Sequence, residues 1–446
     1  MTPSKPGGER KVRALFLGHC SYFHTKNISR LLRKEIPGLH ITVANLVKPD
    51  GSELQAHESV DFDEVIEFPR KRNIIPGSAE ILSGFFNALS DRTRRGVVLS
   101  ALFRLKPGKV KKLLKSYIEN EKFSGMLKDA ISGYDILHFH FISAEALIPL
   151  ALAGNDQFVI LHFWGSDLLN MSGREIYLKQ YEAIGRADMI LLTTPEMSQH
   201  FLVKFGRDKK DKIRNVHFAV DNDFLNRILK SDRIKHRDEF CRKNGISGDK
   251  IIIEAGYNAS VWQRHLRIIE ELKKLPPEIR KSIHVIFVMT YGLGPEHNGY
   301  LKEVKSAAEG AGIEYTFFEK YLDKEEVLCL IAATDIKLNL RETDNMNNAM
   351  LEAFCSDTVV VNGSWMPYGS LRRKGIYYRE IGSLDELAGE LTYLCSNLQS
   401  EKSKTSGNGR IIEEEFSYAK LSSDWTTVYK EAITLAKERK QGNANN

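Results

Sequence analysis

Several things are scarce in this sequence, and each scarcity excludes something. Cysteine is rare: five residues, at positions 20, 241, 329, 355 and 395, with no CxxC pair. Scattered and odd in number, they argue against a disulfide framework or a zinc site and make a reducing cytoplasm the expected setting. Long apolar runs are missing. The most apolar long window, Ile136 to Gly154, contains His138, His140, Glu145 and Pro149, so no membrane-spanning helix is expected. The opening MTPSKPGGERKVRALFLGH has too short an apolar run for a signal peptide. Neither sign of charge dominates: the net charge of +6 is mild for 446 residues, permitting an anionic partner without requiring one. No aromatic-basic module points to nucleic acid, and none is expected as a partner.

What is present is ordinary in bulk and informative in order. Hydrophobic content of 42% and charged content of 27% suit a globular protein, and the length predicts two or three domains of ~100–200 residues. Short apolar runs alternate with helical spacing. VRALFLG, HITVANL, DEVIEFP, YDILHFHF, QFVILHFW and ADMILLTT read as strands, and NISRLLRKEI and the stretch around SAEALIPLAL as helices. The pattern restarts at KIIIEAGYN and continues through HVIFVMTYG, IEYTFF, TDIKLNL and DTVVVNG, with helices RHLRIIEELKKL, YLKEVKSAAEGAG, EEVLCLIAA and NNAMLEAF between. Continuous apolar strands of this kind belong to parallel sheets covered on both faces. The expected fold class is α/β: two doubly wound, Rossmann-like domains facing across a cleft, with ligands outside the carboxyl ends of the strands. The polar stretch from about Asn222 to Asp249 contains the expected boundary, and EKSKTSGNGR (Glu401 to Arg410) reads as a solvated loop.

One segment at such a strand end is crowded with hydrogen-bonding side chains: LNLRETDNMNNAMLEAF, Leu338 to Phe354. With the helix starting near Asn347, the amides of Asn347, Asn348 and Ala349 are available to an anion such as phosphate. Glu352 lies just over one turn in and points back toward that end, where a carboxylate can accept from a ribose diol. Asp344 and Glu342 precede the turn, within reach of sugar hydroxyls. The plainer alternative makes Asp344 and the asparagines turn and cap residues, and Glu352 a solvated helix carboxylate.

This segment resembles the acidic-x7-acidic motif of retaining GT-B glycosyltransferases, especially family 4. The resemblance implies that Glu352 grips the ribose, the turn amides hold the diphosphate and Asp344 contacts the donor sugar. WGSDLL after VILHF, RADMILLTTPEMSQHFLVKFG, VHFAVDNDFL and FSYAKLSSDWTTVYKEAI are similar to further landmarks of that fold. They imply an acceptor-side domain over 12–225, a nucleotide-sugar-binding domain over 226–415, and a helix over 416–438 crossing back to the first. MTYGLGPEHNGYLKEV also resembles lipid-linked fucosamine-derivative transferases, which adds Tyr291 and Gly292 to the donor-binding candidates. There are departures. Asp344 stands where the family usually has Glu, NMNN replaces a Gly-containing turn, and a usual Arg and Lys are replaced by GYNASVWQRHLR. In that stretch Arg264, then Arg267, is the best substitute for neutralising a diphosphate. GHCSYFHTKN replaces a glycine pair near the N-terminus.

Other candidates are weaker. Asp61-Phe-Asp63 and Asp221-Asn-Asp223 match the DxD metal-nucleotide pattern, but three residues are a poor signal and no metal is expected. His138 and His140 read as core histidines, whereas His162, at the end of a strand, is a candidate contact for the donor sugar. Asp167 reads as a helix cap. Arg92 to Ile118 contains nine Lys/Arg and no Asp or Glu, interleaved with apolar residues. It is either an amphipathic pair with a solvated face or a dock for an anionic membrane surface.

Together these readings predict a cytoplasmic glycosyltransferase, peripheral at the inner face of the plasma membrane where the 92–118 segment serves as a dock. It would move a sugar from a nucleotide-diphosphate donor to a glycan or lipid-linked acceptor, with retention, in cell-envelope polysaccharide synthesis. The rival readings are an inverting GT-B transferase on a lipid-linked acceptor and a non-catalytic GT-B partner-binding module.

Overall fold

The structure is a computed structural model. It describes all residues except 1–10, 19, 21, 46–60, 68–123, 144–145, 172, 219, 293–298 and 445–446. The basic segment Arg92 to Ile118 therefore lies outside the described residues.

The chain forms two compact units. The described residues among Met1–His162, with Gly173–Ile190 and Val428–Asn446, make one; Phe163–Ser172 and Leu191–Thr427 make the other. Seven strands form the first sheet: β1 (Val12–Gly18), β2 (Leu39–Asn45), β3 (Glu64–Glu67), β4 (Ile136–His140), β5 (Phe158–His162), β6 (Met189–Leu192) and β7 (Ile213–Asn215), in the order β3-β2-β1-β4-β5-β6-β7. Six form the second: β8 (Ile251–Ala255), β9 (Ile283–Val288), β10 (Glu314–Phe318), β11 (Ile336–Asn339), β12 (Val359–Gly363) and β13 (Arg379–Ile381), in the order β10-β9-β8-β11-β12-β13. The pairings among β1–β5 and throughout the second sheet are parallel. Each order runs outward from a first strand and then reverses. This places switch points at β1/β4 and at β8/β11, where the loops diverge and ligands bind in open α/β sheets.

The strands form where the apolar runs predict them. β4, β5, β9 and β12 are buried along their whole length, as parallel strands under helices must be. On one face of the second sheet Ile253, Ala255, Val285, Leu338 and Val361 join the Leu387–Thr405 and His265–Lys273 helices in the main core. The other face is apolar at Ile252 and Ile286 and polar toward the carboxyl ends. There Lys337 on β11 pairs with Glu254 on β8, both side chains 4% exposed, and Asn339 donates to Asn362 on β12 at 2.7 Å. The Asn222–Asp249 stretch folds into two helices, Asn222–Lys230 and Arg233–Asn244.

One expectation fails. Glu401 to Arg410 is not a solvated loop: it ends the Leu387–Thr405 helix and starts the Asn408–Glu415 helix. Glu401, Thr405 and Asn408 are buried, and Glu401 accepts from Tyr377, Tyr393 and Lys404. The polar composition hid a set of satisfied buried hydrogen bonds.

Candidate functional site

The β8/β11 switch point gathers most of the predicted donor-binding residues into one unit. The loop after β11 turns into the Asn348–Phe354 helix. Asn347 is its cap, with its side-chain oxygen accepting from the Met350 amide at 3.0 Å. Its own amide faces the Tyr368 hydroxyl at a long 3.4 Å. The amides of Asn348 and Ala349 have no partner among the described residues, and Asn348 Oδ1 is buried without one.

Asp344 is the hub of this turn. Its carboxylate accepts from the Tyr257 hydroxyl, from Arg341 Nη1 at 3.1 Å, from Asn347 Nδ2 at 3.0 Å and from the Asn345 amide at 2.8 Å. Burial and the neighbouring Asp344 hold the Tyr257 hydroxyl well above its ordinary pKa, so it remains a donor. Asn345, also buried, donates to the Trp164 carbonyl at 2.9 Å and accepts from Thr193 at 2.7 Å. A Cβ on Gly165 would come within 2.6 Å of the Asn345 Cβ. As placed, Asp344 shapes the turn through protein donors.

Glu352 is different. It is half-buried on the inner side of its helix and has no hydrogen bond or ion pair from a described residue. Burial pushes its pKa up to about 7; Lys337 opposes the shift, and Glu254 and Asp221 add to it. Lys337 lies beyond ion-pair contact with Glu352 and is engaged by Glu254. A solvated surface carboxylate would show none of this.

Arg264 is half-buried, and its guanidinium carbon lies 5.4 Å from the Trp365 ring centroid with no acceptor among the described residues. Its φ of +61°, between the Val261–Gln263 turn and the His265–Lys273 helix, is a left-handed conformation costly for a non-glycine residue. Arg267 instead pairs with Asp385 at 3.0 Å on the surface. Tyr291, half exposed, accepts the Ala259 amide through its carbonyl, and Gly292 (φ +95°) lies where a Cβ would meet Asn258 Cγ at 3.2 Å. Glu342 is exposed, its amide bonded to the Trp262 carbonyl at 3.0 Å.

The remaining candidates lie elsewhere or are occupied. His162 belongs to the other unit, is fully buried, and lies with its ring centroid 5.6 Å from those of His138 and His140. Asp167 accepts from the Trp164 and Gly165 amides at 2.9 and 2.8 Å and fastens that turn. Asp61 pairs with Arg30, Asp63 accepts the Ile41 amide at 2.8 Å, and Asp221 caps its helix and pairs with Lys324. Sequence reasoning missed Tyr257, Arg341 and Tyr368. Tyr368 donates to the Asn345 carbonyl at 3.1 Å and braces the turn from beyond β12. Tyr257 and Arg341 sit directly after β8 and β11, which is the signal that could have found them.

No protein-family model matches the chain, and no curated protein matches it in sequence. Solved structures do. HepE from Anabaena, crystallised in complex with UDP and glucose, matches at a TM-score of 0.66 and 14% identity over 94% of this chain and 100% of that one. A glycosyltransferase from Rickettsia africae matches at 0.63 and 14% over 95% and 99%. Sucrose-phosphate synthase from Thermosynechococcus elongatus matches at 0.64 and 9% over 95% and 100%. At this identity the likeness shows the fold: GT-B, with two Rossmann-like, parallel-stranded α/β units in one chain.

Proposed function

We propose that the chain is a glycosyltransferase that takes a sugar from a nucleoside-diphosphate donor held at the β8/β11 switch point. The observation that carries this reading is Glu352: a half-buried carboxylate with no partner among the described residues, on the helix whose first amides, those of Asn348 and Ala349, are likewise without one. Leaving a carboxylate in that condition is costly unless a ligand completes it. Glu352 accepts from the ribose diol, the two amides and Arg264 hold the diphosphate, and Tyr291 and Gly292 line the approach. HepE, solved with UDP and with UDP-glucose, supports this class of donor.

Asp344 enters as a positioning residue: it holds Tyr257, Arg341 and Asn347 in the arrangement that faces the donor sugar. Transfer proceeds with retention. The departing diphosphate, stabilised by Arg264 and the amides, takes the acceptor proton while attack occurs on the same face; positioning and charge stabilisation supply the acceleration. The acceptor is a glycan or a lipid-linked saccharide of a cell-envelope polysaccharide. The family 4 motif supports retention, and the basic 92–118 segment supports a membrane-borne acceptor.

The test is turnover of a panel of UDP-, GDP-, TDP- and ADP-sugars. One sugar nucleotide should be consumed with release of its diphosphate, and Glu352→Gln should slow it strongly. A folded wild-type protein that turns over none of them makes the chain a binding module instead. The anomeric configuration of the product, read by NMR, checks retention.

A further inference from the structure

A second constellation lies in the same unit and has no part in the donor site. On the Arg233–Asn244 helix, His236 and Glu239 stand three residues apart and so share a face. Cys329 approaches from the packed Lys324–Ala333 helix, with its sulfur 3.6 Å from His236 Nδ1. One donor atom each from His236, Glu239 and Cys329 lies within 4.8 Å of the others. We propose that these three side chains bind a divalent transition-metal ion of the zinc class.

The geometry fits the ion. A tetrahedral zinc about 2.3 Å from a thiolate and about 2 Å from an imidazole nitrogen sets those atoms about 3.5 Å apart. The separation observed is 3.6 Å. The donor set also fits: one imidazole, one thiolate and one carboxylate suit a borderline-soft cation. Thiolate and carboxylate together cancel the ion's two positive charges, so the complex is neutral. The site is accessible, since His236 and Cys329 are half-buried and Glu239 is exposed. Glu239 and Cys329 also line a cavity of about 600 Å³ bounded by Phe240, Phe318, Tyr321 and Leu322. Three protein ligands leave a fourth position for water or an anionic group, next to a cavity that could hold the rest of such a molecule.

The competing reading is a plain S–H···N hydrogen bond with no metal function. Cobalt separates the two. The full-length protein, free of any affinity tag and stripped with chelator, is titrated with Co2+ and followed by absorption. A thiolate-to-cobalt charge-transfer band and tetrahedral d–d bands saturating at one equivalent are expected, with Zn2+ displacing them. Cys329→Ser should abolish the charge-transfer band. Glu239→Gln should keep that band but weaken Zn2+ binding by more than about tenfold, since even supporting residues around a metal contribute that much. Glu239 is exposed and Cys329 half-buried against an apolar cluster, and circular dichroism confirms that both variants fold. A wild-type protein with no charge-transfer band at one equivalent overturns the proposal, and so does a band that survives in Cys329→Ser. Neither outcome bears on nucleotide binding, which is measured separately.

Discussion

Glu352 and Arg264 share a condition that most charged residues avoid: each is half-buried, and neither has a partner of opposite charge in contact among the described residues. For Glu352 the consequence can be measured. Its pKa of about 7 lies above the ordinary 4.5, so between those values the folded protein holds a proton that the unfolded chain releases. This residue's contribution to stability therefore falls as pH rises from about 4.5 to about 7. Glu352→Gln should remove that slope and raise the melting temperature of the ligand-free protein at pH 8. The same substitution should weaken binding of the nucleoside diphosphate about ten- to a hundredfold, the loss of charge-assisted hydrogen bonds worth roughly 1.5–3 kcal/mol. A stability gain paired with a binding loss marks a ligand contact; a cap or solvated carboxylate predicts neither. Arg264→Gly gives a parallel case. Glycine accepts a φ of +61° without strain, so stability should rise or hold in chemical denaturation, while affinity for the diphosphate falls and affinity for the bare nucleoside does not.

At the scale of elements, strands β8 and β11 set the floor of the site through the buried Lys337–Glu254 pair. Breaking a buried pair leaves one charge uncompensated. Lys337→Met should cost about 3–5 kcal/mol in denaturant unfolding, whereas Lys337→Met combined with Glu254→Leu should recover most of it. Equal destabilisation in the single and double variants would show that packing, and not charge, dominates there. The strands themselves were legible in the sequence because buried parallel strands are short, continuous apolar runs: KIIIEA, HVIFV and DTVVVNG coincide with β8, β9 and β12. The three-residue strands β7 and β13 were not, since neither Ile213–Asn215 nor Arg379–Ile381 contains an apolar run. The polar turn after β11 was legible as a strand-to-helix junction, and Asn347 fell at the start of the helix as its cap. The work of Asp344 was not legible. Arg341 is only three residues away, but Tyr257 reaches it through a fold that joins β8 to β11 across 87 residues of sequence. The His236–Glu239–Cys329 group was invisible for the same reason: the cysteine is 93 residues from the histidine.

At the scale of the whole molecule, both sheets repeat one winding order, and the proposed donor site falls at the switch point of the second. Among the described residues no helix is long and apolar enough to cross a membrane. The proposed contact with a lipid-linked acceptor rests on the basic 92–118 segment of the sequence. Replacing Lys109, Lys111, Lys112 and Lys115 with Gln should reduce sedimentation with anionic liposomes, at about 1 kcal/mol per charge, while leaving nucleotide binding intact. The central claim is that this chain binds a nucleoside diphosphate at Glu352, and calorimetry tests it most directly. The full-length protein and Glu352→Gln are titrated at pH 8 with UDP, GDP, TDP and ADP. The account predicts that one diphosphate binds the wild type at one-to-one stoichiometry and binds Glu352→Gln about ten- to a hundredfold more weakly. Equal affinity for both proteins, or no binding of any diphosphate to the folded wild type, would contradict it.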